Sequence, residues 1–358
     1  MSQTTRMFRF FLLSLCILAL SLSTVVSRTQ AATFTQRGYA GNLAPGAAGT
    51  VTEYPIPTPG SQPVGITIDS YSNFWFTESH GNKIGKITTT GQITDYSVPT
   101  PNSEPEGITD DSDGNLWFTE FSGNKIGEIT TSGQITEYSI PTADSGPEDI
   151  TSDVYGNLWF TEFNSNKIGE ITPSGQITEY SVPTANSEPE GITNGPDGNL
   201  WFTEFTAQNI GQITTSGQIT EFPLPSTSTP ITANNITSGP DGKLWFTLII
   251  SPNGPAEIVS SSKIGQIDPI THQITESSNP PPNADSLPNA ITTGPDGNLW
   301  FTEYYQIGSM TTGGSFKDYP LPSGSSGNTP DQIVANPHGQ NLWFTEFSGN
   351  NIGEITTS

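Results

Sequence analysis

Six glutamates close successive copies of one phrase, Trp-Phe-Thr-Glu: Glu78, Glu120, Glu162, Glu204, Glu303 and Glu346, while Leu248 stands in the remaining copy. A second series immediately precedes Gly-Ile-Thr or a variant of it, and comprises Val64, Glu106, Glu148, Glu190, Asn234, Asn289 and Asp331. In antiparallel strands joined by a short turn, the start of the first and the end of the second share a rim. The two series are therefore expected to meet and form a carboxylate-rich mouth. Oxygen ligands of this kind suit a hard cation such as Mg²⁺ or Ca²⁺, with Glu346 and Asp331 the ligands singled out. The alternative is that the glutamates are solvated residues copied along with the unit.

Histidine, the usual acid or base near neutral pH, is scarce: His80, His272 and His338. Only His80 is placed near the expected rim, and a solvent-facing loop residue is the plainer reading of it. Neither a Ser/His/Asp constellation nor a thiol cluster is present, and the sequence points to no organic cofactor.

The elements that must position these residues follow from spacing. Every tryptophan occupies the same place in the unit, at Trp75, Trp117, Trp159, Trp201, Trp245, Trp300 and Trp343, with intervals of 42, 42, 42, 44, 55 and 43 residues. That is the period of a four-stranded propeller blade. The unit from Pro105 to Pro141 divides into strands beginning at Glu106, Leu116, Lys125 and Gln134, with Asp113-Gly114-Asn115 and Ser132-Gly133 as turns. Leu116 and Phe118 point to one face, Trp117 and Thr119 to the other. A sheet apolar on both faces, without helices to cover it, must be covered by other sheets. The predicted fold is an all-β, seven-bladed propeller with four antiparallel strands per blade, spanning residues 50–358. Its tryptophans are expected to pack between blades.

The last unit stops before a fourth strand, and residues 50–57 are an orphan copy of that strand. Pairing them closes the ring and removes an exposed edge. Two units are irregular: about ten extra residues fall within Ile249 to Ser262, and a Pro-rich connection runs through 279–285. Asp113-Gly, Asp197-Gly, Asp241-Gly and Asp296-Gly belong to turns at the opposite rim.

Residues 1–32 differ from the rest. Arg6 and Arg9 precede an apolar run from Phe10 to Leu22, and a small, polar stretch ends near Ala31 and Ala32. This is the pattern of a secretory signal peptide, followed by a flexible lead-in at 33–49, and it implies a secreted or extracytoplasmic protein. The run is shorter than the roughly 20 residues that span a bilayer, so stable membrane insertion is not expected after cleavage. Cleavage would remove Arg6, Arg9, Arg28 and the lone Cys16, leaving 8 basic residues against 35 acidic ones and a formal charge of −27. Such a field repels nucleic acid. A monomer is expected.

Gly-Ile-Thr, Asp-Gly-Asn-Leu-Trp-Phe-Thr-Glu, Asn-Lys-Ile-Gly-Glu-Ile-Thr and Gln-Ile-Thr-Glu-Tyr, repeated over residues 50–358, resemble the virginiamycin B lyase (streptogramin B lyase) family. The resemblance implies a seven-bladed propeller and, in the enzymes, Mg²⁺-dependent elimination that opens a cyclic depsipeptide at its ester. It further implies chemistry carried by histidines before the Gly-Ile-Thr signatures of the last two blades and by a glutamate closing the last Trp-Phe-x-Glu. Here the glutamate matches Glu346, but the histidine positions hold Asn289 and Asp331. Asparagine does not titrate near neutral pH, and an ordinary aspartate is ionised there.

Three readings follow. The first is a propeller binding an extracellular peptide, glycan or protein at its acidic mouth, through the glutamates at 78, 106, 120, 148, 162, 190 and 204 with Asn234 and Asn289. The second is a Mg²⁺-dependent lyase using Asp331, Glu346 and Glu303. The third is a structural surface or matrix module.

Overall fold

The computed structural model describes residues 48–111, 113–225, 231–250, 261–277, 287–322 and 328–357. Outside these lie the expected signal segment, nearly all of the lead-in, the core of the blade-five insertion and the Pro-rich connection. Among the described residues, no helix is long and apolar enough to cross a membrane.

The strands form seven four-stranded antiparallel sheets. In blade two these are Pro105–Asp110, Leu116–Glu120, Lys125–Ile129 and Ile135–Ser139, counted from the channel outward. The innermost strands of adjacent blades touch all round the ring, the first against the seventh included. Every residue of Leu116–Glu120 is buried, whereas Ile135–Ser139 carries exposed positions. The second strand is thus the apolar centre of the blade and the fourth its outer edge.

The core consists of seams rather than one interior. Trp75 of blade one packs with Ile108, Leu116 and Phe118 of blade two, and Trp117 packs with Ile150, Leu158 and Phe160 of blade three. Each tryptophan fills the gap to the following blade, and burying such a ring contributes roughly 1.5–3 kcal/mol from area alone. Within a blade, the Phe118 ring lies over Gly127 of the third strand so closely that a Cβ there would fall 2.1 Å from Phe118 Cζ. Only glycine leaves room for the ring.

The indoles are also tethered. Trp75 Nε1 donates to Asp69 at 2.8 Å and Trp117 Nε1 to Asp111 at 2.8 Å. In blades four to six the acceptor shifts two positions along the turn, to Asp197, Asp241 and Asp296. Burial pushes the Asp69 carboxyl up, but the Trp75 N–H and the Asn73 and Tyr71 donors outweigh it and hold its pKa below the usual value. Blade seven differs, because its turn carries Asn336 and an added residue, and Trp343 Nε1 is buried without an acceptor among the described residues.

Ring closure is as expected. Val51–Pro55 forms the fourth strand of the last blade, pairing Val51 with Ile355 through to Pro55 with Asn351. Tyr54 stacks on Trp343 with centroids 5.3 Å apart, reproducing the Trp75–Tyr96 and Trp117–Tyr138 stacks at 5.6 and 5.5 Å. Asn350 completes the join: its Oδ1 accepts from Ser61 N at 2.6 Å, and its Nδ2 donates to the carbonyls of Ile56 and Thr58. Asn82, Asn124 and Asn166 make the same clasp between consecutive blades.

Candidate functional site at the channel mouth

The first strands reach the mouth through a bulge. In blade two the register shifts between Pro105 and Ile108, which takes Glu106 and Gly107 out of the ladder, and the shift recurs in blades one, three, four, five and seven. Bulges re-aim side chains. The threonine of Trp-Phe-Thr-Glu locks each bulge to its neighbour: Thr119 Oγ1 accepts from Gly107 N at 2.9 Å and donates to the Glu148 carbonyl of the next blade at 2.8 Å. The same hydroxyl bridge runs from Thr77 to Glu106, Thr161 to Glu190, Thr203 to Asn234, Thr247 to Asn289, Thr302 to Asp331 and Thr345 to Val64.

These bridges hold the second series in a circle. Glu106, Glu190 and Asn234 are nearly enclosed, and Val64, Glu148, Asn289 and Asp331 are half-buried. Glu106 accepts from Ser79 Oγ at 3.1 Å. Asn289 Nδ2 donates to Asp331 Oδ1 at 2.5 Å, so the two positions that the resemblance assigns to histidines touch each other. Asp149 is a member that spacing did not reveal. It stands where Gly107 stands in blade two, and its carboxylate accepts from Ile150 N and, across the blade boundary, from Ile192 N at 3.0 Å. Burial pushes its pKa up to about 6.

The glutamates ending the second strands lie at the same rim, since Glu120 is the Cα partner of Pro105. Their side chains go elsewhere. Glu78, Glu120, Glu162, Glu204, Glu303 and Glu346 are all 0–1% exposed, so the solvated reading does not hold. Each continues the Leu-x-Phe face of its strand (Phe-x-Phe in blade one) into the seam with the preceding blade; Glu120 lies against Gly123 and Ser103. Glu346 Oε2 accepts from Asn328 Nδ2 at 2.7 Å and Asn351 Nδ2 at 2.9 Å. Burial pushes Glu78, Glu120, Glu162, Glu204 and Glu346 up to about 7. In blade five Leu248 fills this place, while Lys263 pairs with Glu276 as Lys125 does with Glu137.

For a cation the donor set is thin. Among the described residues no three His, Cys, Asp or Glu side chains are grouped to hold one, and Glu346 is already engaged by two amide donors. Of the histidines, His80 sits at the rim with Nδ1 against Gln62 Oε1, His272 packs on Phe222, and His338 lies in the blade-seven turn.

Aromatic side chains complete the rim. The residue after each second-strand glutamate is Phe121, Phe163, Phe205, Tyr304 or Phe347 in blades two, three, four, six and seven. Phe163 and Phe205 are buried and approach to 6.4 Å between centroids, and Phe121, Tyr304 and Phe347 are half-buried. The signal was present one position beyond the repeated phrase.

Bulged inner strands and threonine bridges together define a seven-bladed propeller with a polar mouth. A sequence model of the Virginiamycin B lyase family matches residues 28–155 and 140–358, and the chain belongs to that family. The virginiamycin B lyase of Staphylococcus aureus is 39% identical, with a TM-score of 0.76 over 86% of this chain and 99% of that one. A catalytically inactive histidine-to-alanine form of that enzyme, solved with quinupristin, is 37% identical at the same TM-score, over 86% of this chain and 99% of that one. The virginiamycin B lyase of Bacillus licheniformis is 49% identical over 41 residues, which cover 12% of this chain and 14% of that enzyme.

Proposed function

We propose that this protein is a secreted binding propeller that takes a peptide, most simply a cyclic depsipeptide, at its mouth and does not open it. The observation that carries the reading is the Asn289–Asp331 hydrogen bond. It occupies the family's histidine positions with an amide and a carboxylate, which supply acceptors and donors for peptide groups but no imidazole to shuttle a proton. The S. aureus relative made inactive by replacing a histidine was solved with quinupristin, so loss of turnover is compatible with occupancy of the site. Glu106, Glu148, Glu190 and Asn234 extend the polar circle, and the half-buried Phe121, Tyr304 and Phe347 offer apolar contact area. Family membership favours a second reading, Mg²⁺-dependent elimination through Asp331, Glu346 and Glu303.

Incubation with quinupristin and Mg²⁺ separates the two. Ring opening by elimination preserves mass and adds a conjugated double bond, whereas hydrolysis adds a water. The expected result is saturable calorimetric binding with unchanged chromatographic mobility, mass and ultraviolet absorbance. Product that disappears in Glu346→Ala would establish the lyase instead. Absence of binding to quinupristin and to peptide and glycan panels would leave a structural module.

A further inference from the structure

The seams hold buried acids that the mouth does not use. In blades one to four Glu78, Glu120, Glu162 and Glu204 are fully enclosed, yet at least one carboxyl oxygen of each has no hydrogen-bond partner among the described residues. A carboxylate withdrawn from water and denied donors is costly. A carboxylic acid in the same place needs only one acceptor for its O–H.

The candidate acceptor lies on the fourth strand: Asp95, Glu137, Glu179 and Glu221 stand in register with Phe76, Phe118, Phe160 and Phe202 across the glycine of the third strand, and so share the sheet face of the four glutamates. These outer acids are already surrounded by donors. Glu137 accepts from Thr100 N and Oγ1, both at 2.8 Å, and from Lys125 Nζ at 2.7 Å. Glu221 accepts from Thr184 N and Oγ1 at 2.8 and 2.9 Å. The remaining elements around the glutamates bring Lys83, Lys125 and Lys167 from the third strands of blades one to three, Asn209 from that of blade four, and only hydroxyls from Thr58, Ser61, Ser103 and Ser165. Blade five is the internal control. With Leu248 in place of the glutamate, Lys263 still meets Glu276 of the fourth strand, and the second strand contributes no carboxyl.

We infer that Glu78, Glu120, Glu162 and Glu204 are kept as neutral acids, each directing its proton to the fourth-strand carboxylate of its own blade, so that the fold is more stable in mildly acidic surroundings. The folded glutamates hold protons up to about 7, against 4.5 for the ordinary side chain. Folding therefore takes up protons across that window. The stability so conferred is fully present below it and is lost as pH rises through it.

The test uses the full-length protein. Infrared spectra at about pH 6 should show a carboxylic-acid C=O band that weakens in the Glu120→Gln, Glu162→Gln double variant. Glutamine donates at every pH, so the variant should unfold at a higher temperature than the parent near pH 8 and show a flatter dependence from about pH 8 to 5. Asp113→Asn, which removes an exposed charge, controls for general relief of self-repulsion and should keep the parent's slope. Absence of the band in the parent, or glutamine variants that follow the parent's slope as Asp113→Asn does, would overturn the inference.

Discussion

Asn289 of blade six donates to Asp331 of the neighbouring blade seven at the mouth of the channel, Nδ2 to Oδ1 at 2.5 Å. Each side chain fixes the orientation of the other. If the pair forms part of a peptide site, Asn289→Ala and Asp331→Ala should each weaken quinupristin binding by about tenfold, or roughly 1.4 kcal/mol. Calorimetry reads the affinity. Unfolding temperatures close to the parent's show that the loss is local.

The closing strand makes a stability prediction. Tyr54 contributes its stack on Trp343 and a bond from its hydroxyl to Glu354 at 3.0 Å. Tyr54→Ala should cost roughly 2–4 kcal/mol in denaturant unfolding. Deleting residues 50–57 should cost more, and it exposes Asn351–Thr356 as an unpaired edge, so light scattering of the deletion protein should rise on standing.

Tethered and untethered tryptophans should respond differently to the same change. Trp75→Phe removes the indole donor and leaves Asp69 enclosed with one partner fewer, whereas Trp343→Phe removes no hydrogen bond. Trp75→Phe should be the more destabilising by about 1–3 kcal/mol. The difference should narrow at low pH, because a pKa held down by donors contributes stability that is lost as the carboxylate is protonated.

Gly127→Ala should be among the worst tolerated single changes outside the mouth. The added methyl meets the Phe118 ring at 2.1 Å, and overpacking of this kind costs roughly 1–3 kcal/mol or more. Pairing it with Phe118→Leu should recover part of the loss in the same unfolding measurement.

Much of the fold was legible because a propeller writes itself repeatedly. The spacing of Trp75, Trp117 and Trp159 defines the blade, and the orphan phrase around Tyr54 identifies the closing strand. The site was less legible. Rim membership of Glu120 follows from pairing with Pro105, but the direction of its side chain follows from alternation. Leu116, Phe118 and Glu120 share one face, and that face is the buried seam. Asp149 escaped notice because it replaces a glycine, and nothing in the local pattern shows that its carboxylate reaches Ile192 in the next blade. Asn289 and Asp331 lie 42 residues apart, and only the circular arrangement brings them together.

The join of Thr50 to Thr356, 306 positions apart, also sets an order of assembly. Six blades hold all their strands within one continuous stretch, and each can pair as soon as its own residues leave the ribosome. The seventh must wait for Asn351–Thr356, and its first-made strand stays without a partner until then. Such a long-range closure is slow, so completion of the ring is expected to be the late kinetic phase of folding, with an open six-blade arc as the species that precedes it.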